Sequence, residues 1–344
     1  MMRKTHKTGV ILGLVALLSV PSPGLAQTPE RTPVATTPHF AFYSDFDTNL
    51  NDALIAAGLA RKGSKPELFH AGDEVACFDK LPPSARAAWD GAVDYYAKVI
   101  SPAAWNDRQQ FLIRLHLVGF DEDLKDAGDR QFVEIAKSFR AAATPAYKAC
   151  RWAAQDEKNR RWIEELKPRL AADEQKTASR LEQLYQKPWT GLPILVDIVE
   201  TAGWSGASSI FRDPAGGHLL ISNSNQGPTA FEVVFHESSH LLMRGNDPVW
   251  QALDKAASAT DFRLPDDLWH VVLFYTTGEA VRRILDEDGK SRYTPMLYGI
   301  LERGGRWNAY HKALETAWRP YLDGRQNLSQ AAAGLIEALR NSDR

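Results

Sequence analysis

Three residues of this 344-residue chain combine types and spacing that suit chemistry: His236, Glu237 and His240, within Phe231–Met243 (FEVVFHESSHLLM). Residues four apart on a helix share one face, so both imidazoles can reach one metal ion. The carboxylate beside the first histidine can then reach a water on that metal and act as its general base. Such a centre needs three protein ligands and one open position. The alternative reading is two core histidines and a glutamate satisfied by hydrogen bonds. Burying such a trio without purpose is costly, which favours a metal.

The segment around the trio predicts a helix over Thr229–Arg244. Thr229 as N-cap and Glu232 three residues later form a capping-box pattern, and Gly245 and Pro248 stop the helix. Phe231, Val233, Val234, Phe235, Leu241 and Leu242 make it largely buried. Before it, His218–Ser222 (HLLIS) reads as a strand and Asn223–Pro228 as turn chemistry.

The pattern resembles the HExxH motif of the zincin metallopeptidases. That resemblance implies one zinc ion per chain, a small twisted sheet with the motif helix behind it, Glu237 as general base, and a peptide or protein substrate. It also frames the search for a third ligand. The metzincin continuation, HExxHxxGxxH, is absent, since Met243 and Asn246 occupy the later positions. A GTxDxxYG segment is absent too: Tyr298-Gly299 lacks the preceding aspartate. The gluzincins take a glutamate from a later helix, and Glu279 in Trp269–Arg283 (WHVVLFYTTGEAVRR) fits that description.

Glu279 lies in an apolar helical segment and needs a partner, either a metal or Arg282 and Arg283. Gly278 beside it would let the motif helix approach closely. Tyr275, four residues earlier on the same face, could donate to a developing oxyanion. His270 is the rival third ligand, or a second oxyanion donor, or a core histidine. On a continuous helix His270 and Glu279 point to opposite sides, so the two cannot serve one metal unless the helix breaks near Thr276–Gly278. Family analogy also makes His218–Asn225 an edge strand beside the cleft, with Asn223 or Asn225 fixing the register of a bound peptide.

The rest of the chain sets bounds. Arg3, Lys4 and Lys7, the apolar run Val10–Val20 and Gly24-Leu25-Ala26 read as a signal peptide (residues 1–26) cleaved near Ala26–Gln27. A periplasmic or secreted mature chain follows, with no integral membrane segment. Its loss shifts the formal charge from −2 to −5, near neutral for this size, which argues against a nucleic-acid partner. In an oxidising compartment Cys77 and Cys150, the only cysteines, are expected to pair. Residues 27–38 are expected to form a loose tail, 39–188 a strand followed by helices with a break at Pro168, and 189–344 the catalytic region. Further strands are expected at 192–199 and 208–211.

The expectation is an α+β fold, mostly helical, carrying a secreted zinc metallopeptidase of gluzincin type. Two other readings stand beside it: a zinc hydrolase of a non-peptide amide, and a metal-binding protein without turnover. The intact Glu237 argues against the second.

Overall fold

In a computed structural model, residues 31–63, 73–100, 108–189, 193–202, 206–212, 216–287, 292–301 and 306–342 are described. A five-stranded mixed sheet organises them. Its strands are β1 (Ala35–Thr36), β2 (Phe40–Tyr43), β3 (Ile194–Val199), β4 (Ala207–Arg212) and β5 (Gly216–Ser222), in spatial order β1-β2-β3-β5-β4. β2, β3 and β5 run parallel, and β1 and β4 are antiparallel edges. Val, Ile and Leu fill β3 and β5, as central strands covered on both faces require.

Parallel neighbours need a crossover. The one joining β2 to β3 is long and helical. It comprises α1 (Phe46–Arg61), α2 (Asp73–Asp79), α3 (Pro83–Tyr95), α4 (Arg108–Leu117), α5 (Ala127–Tyr147) and α6 (Ala153–Tyr185). After β5 come α7 (Gly227–Ser239), α8 (Pro248–Ser258), α9 (Leu268–Leu285), α10 (Met296–Leu301), α11 (Arg306–Ala313), α12 (Arg319–Leu322) and α13 (Leu328–Ser342). The fold is α+β and mostly helical, as the hydrophobic periodicities imply.

Local chemistry accounts for several boundaries. Asp45 caps α1 by accepting from Thr48 N, and Asp126 caps α5 through Gly128 N and Asp129 N. α6 runs through Pro168 without the expected break. A proline removes one helical hydrogen bond. Trp162, Ile163, Leu166 and Leu170 seat the helix on the core on both sides of it, and that packing holds the axis. The expected loose tail is partly ordered: Ala35 and Thr36 pair with Phe42 and Ala41.

Thr32–Arg344 forms one compact unit. Its main core joins β2 and α6 from the N-terminal region to the sheet, α7, α9 and the C-terminal helices. A second core lies among α1, α3 and α5. Cys77 and Cys150 are joined by a disulfide at the margin of that second core. Buried polar groups fasten α1 and α6 to the end of β3. Asn49 and Asn159 both donate to Ile198 O, at 3.0 and 2.8 Å. Asp52 accepts from Thr201 N, Thr201 Oγ1 and Ala202 N, fixing a turn in which Ala202 has a left-handed φ of 50°. No described helix is long and apolar enough to cross a membrane.

Candidate metal centre

α7 carries the motif between the sheet and the pair α6 and α9. It starts two residues earlier than expected, at Gly227, with Pro228 in its first turn. The capping box does not form. Glu232 is buried and accepts instead from Tyr293 Oη at 2.5 Å and Met296 N at 3.1 Å. The helix also ends early, at Ser239. His240 is its C-cap and keeps helical angles (φ −59°, ψ −23°), so it still lies one turn beyond His236. Tighter bonds from Leu241 N to Ser238 O and Leu242 N to Ser239 O close the turn, and Lys187 Nζ caps Leu241 O at 2.8 Å.

The third histidine comes from α9. The rings of His236, His240 and His270 form a near-equilateral triangle, with centroids 5.2, 5.4 and 5.2 Å apart. One ligand atom from each lies within 4.8 Å of the other two. Among the described residues this is the one cluster able to hold a metal ion. A thread of buried hydroxyls sets the two helices in register. Ser239 Oγ donates to Phe235 O and accepts from Thr277 Oγ1 of α9, which also meets Tyr185 Oη of α6 at 3.0 Å.

The donor set fits a metal. His236 is 3% exposed, and its Nδ1 has no hydrogen-bond partner, a deficit uncommon for a buried polar atom. Burial, reinforced by repulsion from His240 and His270, pulls His236 well below the usual histidine range. Burial, then His270 and Arg244, takes His240 down to about 3. His270 falls to about 4 through burial, against a smaller upward pull from Asp267. All three rings are therefore neutral at pH 7, the form that binds metal.

Glu237 lies beside the triangle, 6% exposed. Burial pushes its carboxyl up to about 7, against the hydrogen bond from Ser209 and the charge of Arg114. Both groups come from outside the motif segment. Ser209 is on the edge strand β4. Arg114, buried on α4, donates to Ser208 Oγ at 3.0 Å and His218 O at 3.0 Å, binding β4 to β5. Burial lowers Arg114 to about 10, opposed by the charges of Glu237 and Asp197. Beneath it, His218 Nε2 meets Asp197 Oδ2 at 2.8 Å, both fully buried.

Glu279 is not brought to the histidines. α9 is continuous, and nine residues at about 100° each leave His270 and Glu279 on opposite faces. Glu279, 1% exposed, accepts from Arg282 Nε and Nη2 at 3.0 and 2.8 Å, with Arg283 and Arg319 within 3.8 Å. Burial pushes its carboxyl up, but the three guanidiniums outweigh that and hold it below the usual range. Tyr275 shares this far side. Its hydroxyl donates to Glu315 Oε1 at 2.6 Å and accepts from Arg319 Nε, so it is no oxyanion donor.

The expected edge strand is also displaced. β5 is paired on both sides, and among the described strands β4 is the outermost on that side. Asn223 and Asn225 hold the turn: Asn223 Nδ2 donates to Asn159 Oδ1, and Asn225 Nδ2 to Gly206 O and Ser222 O. Both side-chain Nδ2 groups are thus engaged within the turn.

Ser209, Arg114, His218 and Asp197 carry no local signature, because each acts across elements distant in sequence. Trp269, adjacent to His270, and Trp307 pack against the triad and likewise carry no local signature of that position. No protein-family model, curated protein or solved structure matches the chain.

Proposed function

We propose that the chain is a zinc-dependent metallopeptidase of the HExxH type whose third ligand is His270. The observation that supports this most is the meeting of three neutral imidazoles with a buried carboxylate placed directly after the first of them. Three histidines suit zinc among the common divalent ions. A bound zinc ion supplies Lewis acidity, which activates water and polarises a carbonyl. Glu237 takes a proton from the attacking water and returns it to the leaving nitrogen. Ser209 orients the Glu237 carboxylate, and Arg114 holds Ser209 in place through β4. β4, the outermost described strand on this side of the sheet, is the one an extended peptide would run along, beside Glu237.

The zincin resemblance supports a peptide substrate, while the gluzincin ligand set is set aside with Glu279. A periplasmic or secreted location remains part of the proposal. It rests on the basic and apolar start of the sequence and is favoured by the Cys77–Cys150 disulfide.

Metal analysis of purified protein tests the ligand set. About one zinc per wild-type chain is expected, with a large loss in His270→Ala and none in Glu279→Gln. The reverse pattern would sink the assignment. Glu237→Ala should keep its zinc and lose casein or peptide hydrolysis by at least about a hundredfold. An unchanged rate would remove Glu237 from the mechanism.

A further inference from the structure

We propose that the indoles of Trp269 and Trp307 form a wall of the substrate site, with Trp250 extending it, and select an aromatic side chain next to the scissile bond. The inference rests on the metallopeptidase reading and names its substrate class. The triangle of imidazoles has unequal surroundings. Phe274, 7% exposed, lies over His236 with centroids 3.7 Å apart and closes that side. Glu237 and Ser209 of β4 form another side. Around His240 and His270 the other ring neighbours are indoles, apart from Phe274, which also lies 5.2 Å from His270. Trp269 lies 5.6 Å from His240 and 5.2 Å from His270, and Trp307 lies 5.6 Å from His270. Trp250 packs on Trp269 at 5.9 Å and stands outside the core cluster. His240, His270 and all three tryptophans are only half-buried, so solvent reaches the centre on this side.

The wall is fixed. The Trp307 indole N–H and the Tyr310 hydroxyl both donate to Asp267, just before α9. This ties α11 to the start of the helix that carries His270. A rigid indole surface binds flat apolar rings by burial and offset or edge contact. Hydroxyl-rich rings would need polar side chains at their edges. Among the described residues, Asp267 is engaged by Trp307 and Tyr310, Arg244 near His240 lies over the Phe211 ring, and the imidazoles are committed to metal. The chemistry therefore matches an aromatic residue of a peptide.

Hydroxamic acids separate this inference from the reading beneath it, because they anchor on the metal and carry a variable side group. Acetohydroxamic, phenylacetohydroxamic and cyclohexylacetohydroxamic acids would be titrated calorimetrically into the zinc-loaded full chain. Acetohydroxamic acid should bind. The phenyl compound should bind on the order of 10- to 100-fold more tightly, and about threefold or more tighter than the cyclohexyl one. In Trp307→Ala and Trp269→Ala, with zinc content at the wild-type level, the phenyl-to-methyl ratio should fall toward one. A wild-type ratio near one, equal phenyl and cyclohexyl affinities, or a ratio kept in both variants would overturn the aromatic wall while leaving the metal centre standing. Failure of acetohydroxamic acid itself to bind would instead bring down the metal-hydrolase reading, and the wall with it.

Discussion

At the residue scale, one carboxylate changes role. Glu279 stands in an apolar run and needs a partner, and guanidiniums meet that need as fully as a metal would. Arg282 and Arg283 are visible one turn away in sequence, but Arg319 is not. Removing the charge leaves three arginines around a neutral amide. Glu279→Gln should therefore cost about 2–3 kcal/mol of stability, read as a lower thermal midpoint. A melt within error of wild type would show that the cluster is a solvated pairing of little weight. His270 carries the opposite lesson. Its ring is typical of a core histidine until His236 and His240 are placed beside it.

At the element scale, the approach of α7 to α9 decides whether the third histidine arrives. Gly278 permits it: a Cβ there would stand 2.8 Å from Pro295 Cβ and 3.1 Å from Glu232 Oε1. Neither neighbour is free to move, since the proline ring is rigid and Glu232 is held by Tyr293 and Met296. Gly278→Ala should cost about 2–3 kcal/mol and weaken zinc binding, because α9 carries His270. A stable variant with wild-type zinc affinity would contradict this.

Glu232 predicts a pH effect at the same junction. Burial raises its carboxyl from 4.5 to about 7. The folded chain then holds a proton that the unfolded chain releases. The resulting stability is full below pH 4.5 and is lost as the pH rises through 7, by about 3 kcal/mol in all. Urea unfolding at pH 5 and pH 8 should show this decline, flattened in Glu232→Gln. An equal decline in the variant would exclude Glu232 as its source.

At the scale of the whole molecule, the long helical crossover between β2 and β3 must be kept on the sheet. The disulfide closes a loop of 73 residues within it. On chain-entropy grounds this is worth about 4 kcal/mol. Reduction, or Cys77→Ala with Cys150→Ala, should lower the unfolding free energy read from urea denaturation by that amount, and no change would mean that the unfolded chain is not constrained there. The proposed zinc binding should survive at moderate denaturant, since α7 and α9, which carry the three histidines, belong to the other core.

The sequence by itself determined the local features. These are the strands from their β-branched runs, most helices from their periodicity, the partnership of His236 with His240, and the α+β class. Its limits at α7 and at Pro168 were off, because a capping pattern or a lone proline reports local preference while packing sets the outcome. Only the tertiary structure decided the third imidazole, the outer place of β4 in the sheet, and the partners of Glu237. Each of these depends on which elements become neighbours. Glu237 lies 123 residues from Arg114, and His240 lies 30 from His270. Chain periodicity fixes which face a side chain occupies, but only the packed core fixes what that face meets.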